Sequence, residues 1–487
     1  MRTMLVAVTA LVVLVACGGG SMSGSNGNPA SGLTQTVATS GTITAFGSVF
    51  VNGVRYDVSA ASIRKNGRTV AQAALAVGEV ALVRGRQNLD SGQGNADSVE
   101  VEDNVVGPIG SIDVVGSELV TLGQTVRVTA GTSFGKGITP ADLTGLMAGD
   151  PIEVSGLTDA GGVIVASRIA RAEANEPMQV LGAIAGLNAT AHTFMINGLK
   201  VDFTAATVAG FAAGHPADGD TVVARGTSFD AATVMLSANA LQPAGTDPRE
   251  SADGQHAETG QVEIEGLISN FVSATEFEVA GAKVTTTSTT TFKGGSAADL
   301  ADQTKVEVEG TLDANQVLVA DTIEIDHVAA IELESTASQV DLTNNTLMVL
   351  GVTVTVDANT RFEDKSSAQL QMFKINDIAD GDTVLVRGYE SPAGSGRVLA
   401  RKLERLPASA DVVVRGPFMA TTAPQFMIVG ITIDATNADF GQVEEQGSMS
   451  AADFFTRAVG QIVEVRGAAA GGTVTATKVR IDSEEDR

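Results

Sequence analysis

Two stretches of the chain have the residue spacing of hydrolase motifs. Residues 131–135 (Gly-Thr-Ser-Phe-Gly) fit the G-x-S-x-G pattern, in which a strand-to-helix turn exposes the serine near a histidine and a carboxylate. Residues 62–65 (Ser-Ile-Arg-Lys) fit S-x-x-K, but the sequence lacks the companion motifs of that chemistry. The triplet around Ser133 aligns with the Thr-x-Phe triplets at 290–292 and 360–362, which contain no serine. We therefore interpret both stretches as structural.

The side chains that could bind a metal are scattered along the chain. Four histidines fall in different turns, a linker and a strand end, with no pair at ligand spacing: His192, His215, His256 and His327. Two pairs of loop carboxylates could bind calcium weakly or simply belong to solvated turns, which we favour: Asp218 with Asp220, and Asp380 with Asp382. The sequence predicts no cofactor, no metal site and no catalytic residue, because it has no set of acid, base and nucleophile.

The N-terminal residues predict export and lipid attachment. Arg2 precedes an apolar run over residues 4–15, which is shorter than the roughly 20 residues that a membrane-spanning helix requires. Cys17 is the only cysteine, so an internal disulfide is excluded. Residues 14–17 (Leu-Val-Ala-Cys) resemble the lipobox of bacterial lipoproteins, which implies that Cys17 carries a diacylglycerol and becomes the first mature residue. The alternative is an ordinary secretory peptide with an incidental cysteine.

The rest of the chain is organised around a strand that ends in glycine. This strand recurs at intervals of about 70 to 85 residues, which is the length of a small domain repeated in tandem. The six glycines are Gly85, Gly156, Gly226, Gly310, Gly388 and Gly467. Residues alternate along the strand, as in Val306-Glu307-Val308, and this pattern predicts that valines face a core while acids face water.

Each repeat carries further strand and helix signals. Asn52-Gly53 and Asn197-Gly198, each between apolar runs, predict hairpins, and equivalent hairpins are predicted at Gly281, Gly351 and Gly430. Next come a Thr-x-Phe triplet in three copies, a short capped helix and two more strands. This order of elements is that of the OB-fold, a five-stranded, partly open barrel. We therefore predict an all-β protein of six tandem, small, OB-like antiparallel β-barrels, each with one short helix.

The repeated pattern resembles the domain of unknown function 5666, a bacterial family that often follows lipoprotein signals. The resemblance covers about residues 41 to 482 and comes from repetition of short motifs rather than from one signature. The predicted boundaries are a signal peptide (1–16), a flexible tether (17–40), repeat 1 (41–104), repeat 2 (105–176), repeat 3 (177–243), a linker (244–260), repeat 4 (261–328), repeat 5 (329–408) and repeat 6 (409–487). The linker predicts two groups of three repeats that move relative to each other.

Composition limits the partners. The formal charge of −26 disfavours nucleic acid, and the lack of Trp leaves few aromatic platforms for stacking sugars or bases. Gly18 stands where lipoproteins of the inner membrane commonly have Asp, so the resemblance favours the outer membrane. We predict a non-enzymatic, lipid-anchored envelope protein that binds or scaffolds an envelope protein or glycan through its repeats, facing the periplasm or the cell surface. The alternative is a protein that binds a small ligand, an oligosaccharide or a divalent cation.

Overall fold

The computed structural model describes residues 34–88, 92–173, 175–245, 247–249, 260–327, 329–442 and 449–482. Cys17, the predicted signal peptide and residues 17–33 of the predicted tether lie outside these ranges. The described residues form an all-β structure with three 13-stranded sheets. Within these ranges, no helix has the length and apolar character that crossing a bilayer requires.

Repeat 1 shows how one repeat closes on itself. Its strands are β1 (Thr34–Ala45), β2 (Val49–Val51), β3 (Val54–Asp57), β4 (Ser62–Lys65), β5 (Arg68–Thr69), β6 (Val80–Asn88) and β7 (Gln93–Val101). β1 pairs antiparallel with β2 and β6, β2 pairs antiparallel with β3, β3 runs parallel to β7, and β7 pairs antiparallel with β6. The strands therefore form a small closed barrel, to which β4 adds a second parallel contact with β7. β1 begins at Thr34, so residues 34–40 of the predicted tether belong to the barrel.

Repeats 2 and 3 share the second sheet. The strands of repeat 2 are β8 (Val105–Asp113), β9 (Glu118–Thr121), β10 (Gln124–Arg127), β11 (Ser133–Phe134), β12 (Pro151–Thr158) and β13 (Ile164–Arg171). Those of repeat 3 are β14 (Met178–Ala183), β15 (Ala185–Asn188), β16 (Thr193–Ile196), β17 (Leu199–Asp202), β18 (Thr207–Val208), β19 (Thr221–Asp230) and β20 (Met235–Pro243). The first strands, β8 and β14, pair antiparallel and join the two repeats.

Repeat 4 follows the linker. Its strands are β21 (Gln261–Ser273), β22 (Glu276–Val279), β23 (Ala282–Thr285), β24 (Thr291–Lys293), β25 (Lys305–Leu312) and β26 (Leu318–Ile325). β21 lies parallel to β1 of repeat 1, in register from Val37 opposite Gln261 to Ser40 opposite Ile264. The prediction of two separately moving groups of three is therefore wrong, because strand pairing joins repeat 4 to repeat 1 across the linker.

Repeats 5 and 6 form the third sheet. The strands of repeat 5 are β27 (Ile331–Asp341), β28 (Thr346–Val349), β29 (Val352–Thr355), β30 (Arg361–Asp364), β31 (Thr383–Glu390) and β32 (Arg397–Arg405). Those of repeat 6 are β33 (Val412–Pro417), β34 (Met419–Ala420), β35 (Gln425–Ile428), β36 (Ile431–Asp434), β37 (Asp439–Gln442), β38 (Ile462–Ala470) and β39 (Thr473–Asp482). The first strands, β27 and β33, again join the repeats, here in antiparallel pairing.

The recurring glycine marks a β-bulge. The register between the two long strands shifts at the glycine in all six copies, for example between Arg84 and Gly85. At that point the partner strand lies so close that a Cβ on Gly85 would overlap the carbonyl oxygen of Asn95. The other five glycines face a partner carbonyl in the same way. Glycine recurs here because any side chain would collide with the backbone.

The predicted hairpins are confirmed, but the short helix is not general. The turns at Gly281, Gly351 and Gly430 connect β22 to β23, β28 to β29 and β35 to β36. Four repeats have a single 3₁₀ turn in the expected place (Gln72–Ala74, Leu143–Gly145, Ala297–Asp299 and Ile375–Asp377), and repeat 6 has α1 (Ala451–Arg457). Repeat 3 has no helical turn between β18 and β19, where Gly210 and Gly214 adopt positive φ and Pro216 follows.

In two of the three sheets, the two repeats of the sheet share one hydrophobic core. Repeats 5 and 6 share one continuous cluster of buried apolar side chains, and so do repeats 2 and 3. Repeats 1 and 4 instead keep separate clusters, although β1 and β21 belong to one sheet. The contact between repeats 1 and 4 must therefore depend on side chains outside their apolar cores.

Candidate functional site

Ser133, the serine of the G-x-S-x-G stretch, is fully buried in β11. Its hydroxyl donates to the carboxylate of Glu363 in β30, on the barrel of repeat 5. A nucleophilic serine needs access to substrate, whereas this hydroxyl is enclosed between two repeats. The structure therefore supports the interpretation of residues 131–135 as structural and gives the serine a specific role in contact between repeats.

Lys65, the lysine of the S-x-x-K stretch, is also engaged in contacts between repeats. Its Nζ lies 2.6 Å from Glu79 and 3.0 Å from Glu153, and Asp103 is 3.8 Å away. Burial alone would lower the pKa of Lys65, but the negative charges of these three carboxylates raise it above its usual range. Lys65 thus stays protonated, and it serves as the shared cation between repeat 1 and repeat 2.

The remaining sequence candidates are separate from one another. His192 and His215 lie in different turns of repeat 3, before β16 and between β18 and β19, and His327 follows β26 of repeat 4. His256 lies outside the described residues. Asp218 accepts a hydrogen bond from the backbone N–H of Leu187 at 2.8 Å, and Asp380 accepts one from Val340 at 3.1 Å. These carboxylates tie the turn before a long strand to β15 in repeat 3 and to β27 in repeat 5. Within the described part of the chain, no group of three metal-binding side chains comes together.

The described residues instead bring charged side chains together where repeats 1, 2, 4 and 5 meet. We call this region the central junction, and it consists of four contacts between repeats. Repeats 1 and 2 meet at Lys65, Glu79, Asp103 and Glu153, and repeats 2 and 5 meet at Ser133, Glu363 and Lys402. Repeats 1 and 4 meet at Thr39, Glu263, Glu265 and Glu307, and repeats 4 and 5 meet at Asp326 and Arg401. Most of these side chains are buried or half-buried. Ionised groups at such positions require partners.

Between repeats 2 and 5, a lysine of β32 and the lysine that follows β30 contact main-chain carbonyls of repeat 2. Lys402, which is only 3 % exposed, donates to the carbonyl of Thr132 at 3.2 Å, and its Nζ lies 3.4 Å from Glu363. Lys365 donates to the carbonyl of Phe134 at 2.7 Å. Burial alone would raise the pKa of Glu363, but Lys402, Lys365 and Arg361 hold it well below its usual range.

Between repeats 1 and 4, hydroxyl groups meet carboxylates. The Thr39 hydroxyl donates to Glu263 at 3.0 Å and can accept from the hydroxyl of Tyr56, 2.7 Å away. The backbone N–H and hydroxyl of Thr42 both donate to Glu265 at 2.9 Å. Both threonines belong to β1 and both glutamates to β21, so these hydrogen bonds reinforce the parallel pairing of the two strands.

Repeat 4 also contacts repeat 5 through paired charges. Arg401 of β32 lies 2.7 Å from Asp326 and 3.5 Å from Glu324. Asp326 also pairs with Lys305 at 3.0 Å. Burial alone would raise the pKa of Asp326, but these two cations lower it, so the carboxylate is ionised at neutral pH. The central junction thus links four repeats by ion pairs and hydrogen bonds.

Sequence reasoning did not identify the central junction. The alternation around Glu307 predicts an acid that faces water, and this prediction is wrong in part. Glu307 does point out of its own barrel, but it is half-buried there and lies beside Glu263. The available signal was the run of acids at 263, 265, 307 and 309, which line up opposite one another on β21 and β25. Like charges placed opposite each other in a sheet require an unusual environment.

The fold and the central junction define an all-β protein of tandem repeats with small β-barrels, in which distant repeats are held together by buried polar contacts. The family model of the domain of unknown function DUF5666 matches five segments, at residues 40–100, 106–170, 265–324, 336–404 and 415–480. These segments cover more than half of the chain, so the chain belongs to the DUF5666 family. A search of curated proteins gave no match.

Proposed function

We propose that this protein is a non-enzymatic, lipid-anchored scaffold of the cell envelope. The observation that carries the proposal is the central junction, in which the charged groups of four repeats are used to bind the repeats to one another. A molecule built in this way offers several fixed outer surfaces, which suits the simultaneous binding of envelope proteins or glycans. Its strongly negative charge of −26 argues against a nucleic-acid partner.

We propose further that the chain contains six OB-like units. The cycle of strand pairings in repeat 1 recurs in repeats 2, 4 and 5. In each of them the first strand pairs with the second, the second with the third, the third with the last, the last with the penultimate, and the penultimate with the first, which is the strand order of an OB-fold barrel. Repeat 3 is outside the matched segments but has the same long strands and bulge glycine, Gly226. An experimental structure that showed a different strand order in repeat 3 would contradict the count of six.

The proposed anchor is a diacylglycerol on Cys17, attached to the outer membrane. A Cys17→Ala variant should lose incorporation of labelled fatty acid and leave the membrane fraction, while its β-sheet circular dichroism stays unchanged. Ser21→Ala is the matched control, because it alters a nearby small residue without removing the thiol. Equal fatty-acid labelling of the Cys17→Ala variant and the wild type would rule out this anchor.

The scaffold proposal predicts partners at exposed apolar positions. Val115 and Val272 are 72 % and 69 % exposed, and they lie at the first hairpins of repeats 2 and 4. A photo-crosslinking residue at either position should give discrete adducts with envelope proteins or glycans in living cells. The same residue at the exposed, charged position Lys283 serves as the control. The absence of position-specific adducts at both valines would reject the proposal.

A second candidate function, the binding of a small ligand, an oligosaccharide or a divalent cation, is favoured by one cavity. This cavity of about 420 Å³ lies between repeats 2 and 3, and its lining includes Pro108, Pro151, Glu173 and Met178. Its volume falls in the range of small-molecule sites. Calorimetry with calcium and a panel of oligosaccharides tests it, and a lack of both heat and thermal shift would exclude these ligands.

A further inference from the structure

The joint between repeats 1 and 4 contains two carboxyl groups that are diagonal neighbours on paired strands. Glu263 of β21 is 7 % exposed, and Glu307 of β25 lies beside it on the same outer face of the repeat 4 barrel. The register places Glu263 opposite Glu309 and Glu265 opposite Glu307, so Glu307 is the diagonal neighbour of Glu263 and four carboxyl groups crowd this face. One proton shared between neighbouring buried carboxyl groups removes the repulsion between two negative charges. Among the described residues, neither carboxyl group forms a salt bridge, although the charge of Lys293 acts to lower the pKa of Glu263.

We propose that Glu263 and Glu307 share a proton and that this proton makes the contact between repeats 1 and 4 depend on pH. The contact is stable at acidic pH and becomes less stable as the pH rises. With the proton present, one carboxyl donates to the other, and Thr39 donates to Glu263 from β1. When the proton leaves, two adjacent carboxylates repel each other at a buried position, and separation of β21 from β1 lets water reach both.

The charged groups around Glu263 and Glu307 strengthen the pH dependence of the joint. The groups that face it are Thr39 of β1, Tyr56 of β3, Glu265 of β21, Lys293 of β24, Lys305 and Glu309 of β25 and Glu324 of β26, with Arg361 of β30 beside Glu265. Lys305 is committed to Glu265 and Asp326, at 2.9 and 3.0 Å. Carboxylates therefore outnumber the cations that remain available to Glu263 and Glu307.

The direction of the effect follows from the pKa values. Burial raises the pKa of Glu263 to about 7, and burial together with the charge of Glu263 raises the pKa of Glu307 well above its usual range. The closed joint therefore binds a proton that the open joint releases near the ordinary glutamate pKa. The stability that this proton adds to the joint is fully present below the ordinary glutamate pKa. It is lost as the pH rises through the pKa values of the closed joint.

The test is hydrogen exchange of the full protein, followed by mass spectrometry at about pH 5.5 and about pH 8.5 and corrected for intrinsic exchange rates. Protection of residues 37–40 and 261–264 should fall ~10-fold or more at the higher pH, since each pKa unit corresponds to a tenfold change. Protection of residues 413–415 in β33, which lie in the joint between repeats 5 and 6, should not change in the same way.

Two variants assign the response to the pair. Glu307→Gln supplies a permanent donor to Glu263, so it should keep residues 37–40 and 261–264 protected at both pH values, and Glu263→Gln should act alike. Glu153→Gln is the matched control, because burial also raises the pKa of Glu153 to about 7, but at the contact with Lys65 between repeats 1 and 2. The proposal is overturned if wild-type protection at the joint is independent of pH, or if Glu307→Gln retains the wild-type loss.

Discussion

The joint between repeats 5 and 6 and the joint between repeats 1 and 4 both form between first strands, but they differ in chemistry. Antiparallel β27 and β33 lie over one continuous apolar core, and Ile331 of β27 packs near Gly416 of β33. Parallel β1 and β21 lie between two separate cores, and their contact is made by threonines and glutamates.

Part of the difference corresponds to distance along the chain, although repeats 1 and 2, and repeats 4 and 5, are consecutive and also keep separate cores. Consecutive repeats can merge their cores, because a short connection keeps them adjacent before packing is complete. Repeats 1 and 4 are separated by two other repeats and the linker, and each must bury its own apolar side chains. What remains for their contact is the outer face of each barrel, which is polar. Polar contacts are directional, so they fix which repeat binds which, whereas apolar contacts contribute mainly stability.

The largest effect is expected at the polar central junction. Lys402→Met leaves Glu363 and Glu404 buried without their nearest shared cation, and loss of one partner from a buried ion pair costs about 3–5 kcal/mol. The midpoint of chemical denaturation should fall accordingly. Lys478→Met, at an exposed position of repeat 6, is the control and should change little. Equal midpoints for the two variants would mean that the junction ion pairs add no stability.

A slightly smaller effect is expected at the apolar joint. Ile331→Ala removes buried methyl groups from the core shared by repeats 5 and 6, where isoleucine-to-alanine changes cost about 2–5 kcal/mol. Because no charge is involved, the loss should be the same in low and high salt. Denaturation at two salt concentrations tests this expectation. A marked salt dependence of the Ile331→Ala effect would contradict the proposed difference between the joints.

The smallest effect is expected from a single hydroxyl in the joint between repeats 1 and 4. Thr39→Val preserves shape but removes the donor to Glu263 and the contact with Tyr56, and loss of a buried hydrogen bond costs about 1–3 kcal/mol. Thr36→Val, at an exposed position of the same strand, is the control. Hydrogen exchange in β21 should increase for Thr39→Val alone. Equal exchange in both variants would show that Thr39 does not support the joint.

The fold of single repeats could be predicted from the sequence, since it depends on local patterns. The hairpin at Gly281 and the recurring bulge glycines are visible as turn residues and periodic spacing. The helical turn predicted in repeat 3 failed because Gly210, Gly214 and Pro216 replace helix-forming residues there. Such local departures can be recognised once the repeats are aligned.

The central junction could not be predicted in the same way. Glu265 alternates with valine and isoleucine as an exposed strand residue would, and the pattern is the same whether its outer face meets water or Thr42 of another repeat. Ser133 likewise gives no local sign that it contacts Glu363, 230 positions away. Contacts between the outer faces of repeats depend on which repeats are neighbours, and short motifs do not encode that choice.

The parallel pairing of β1 with β21 has a consequence for how the chain folds. Its partners are more than two hundred residues apart, and contacts of such long sequence separation form slowly because a large loop must close first. Until repeat 4 arrives, one edge of β1 is open to any other unpaired strand. The window between completion of repeat 1 and docking of repeat 4 is therefore the period in which a newly made chain is most exposed to aggregation.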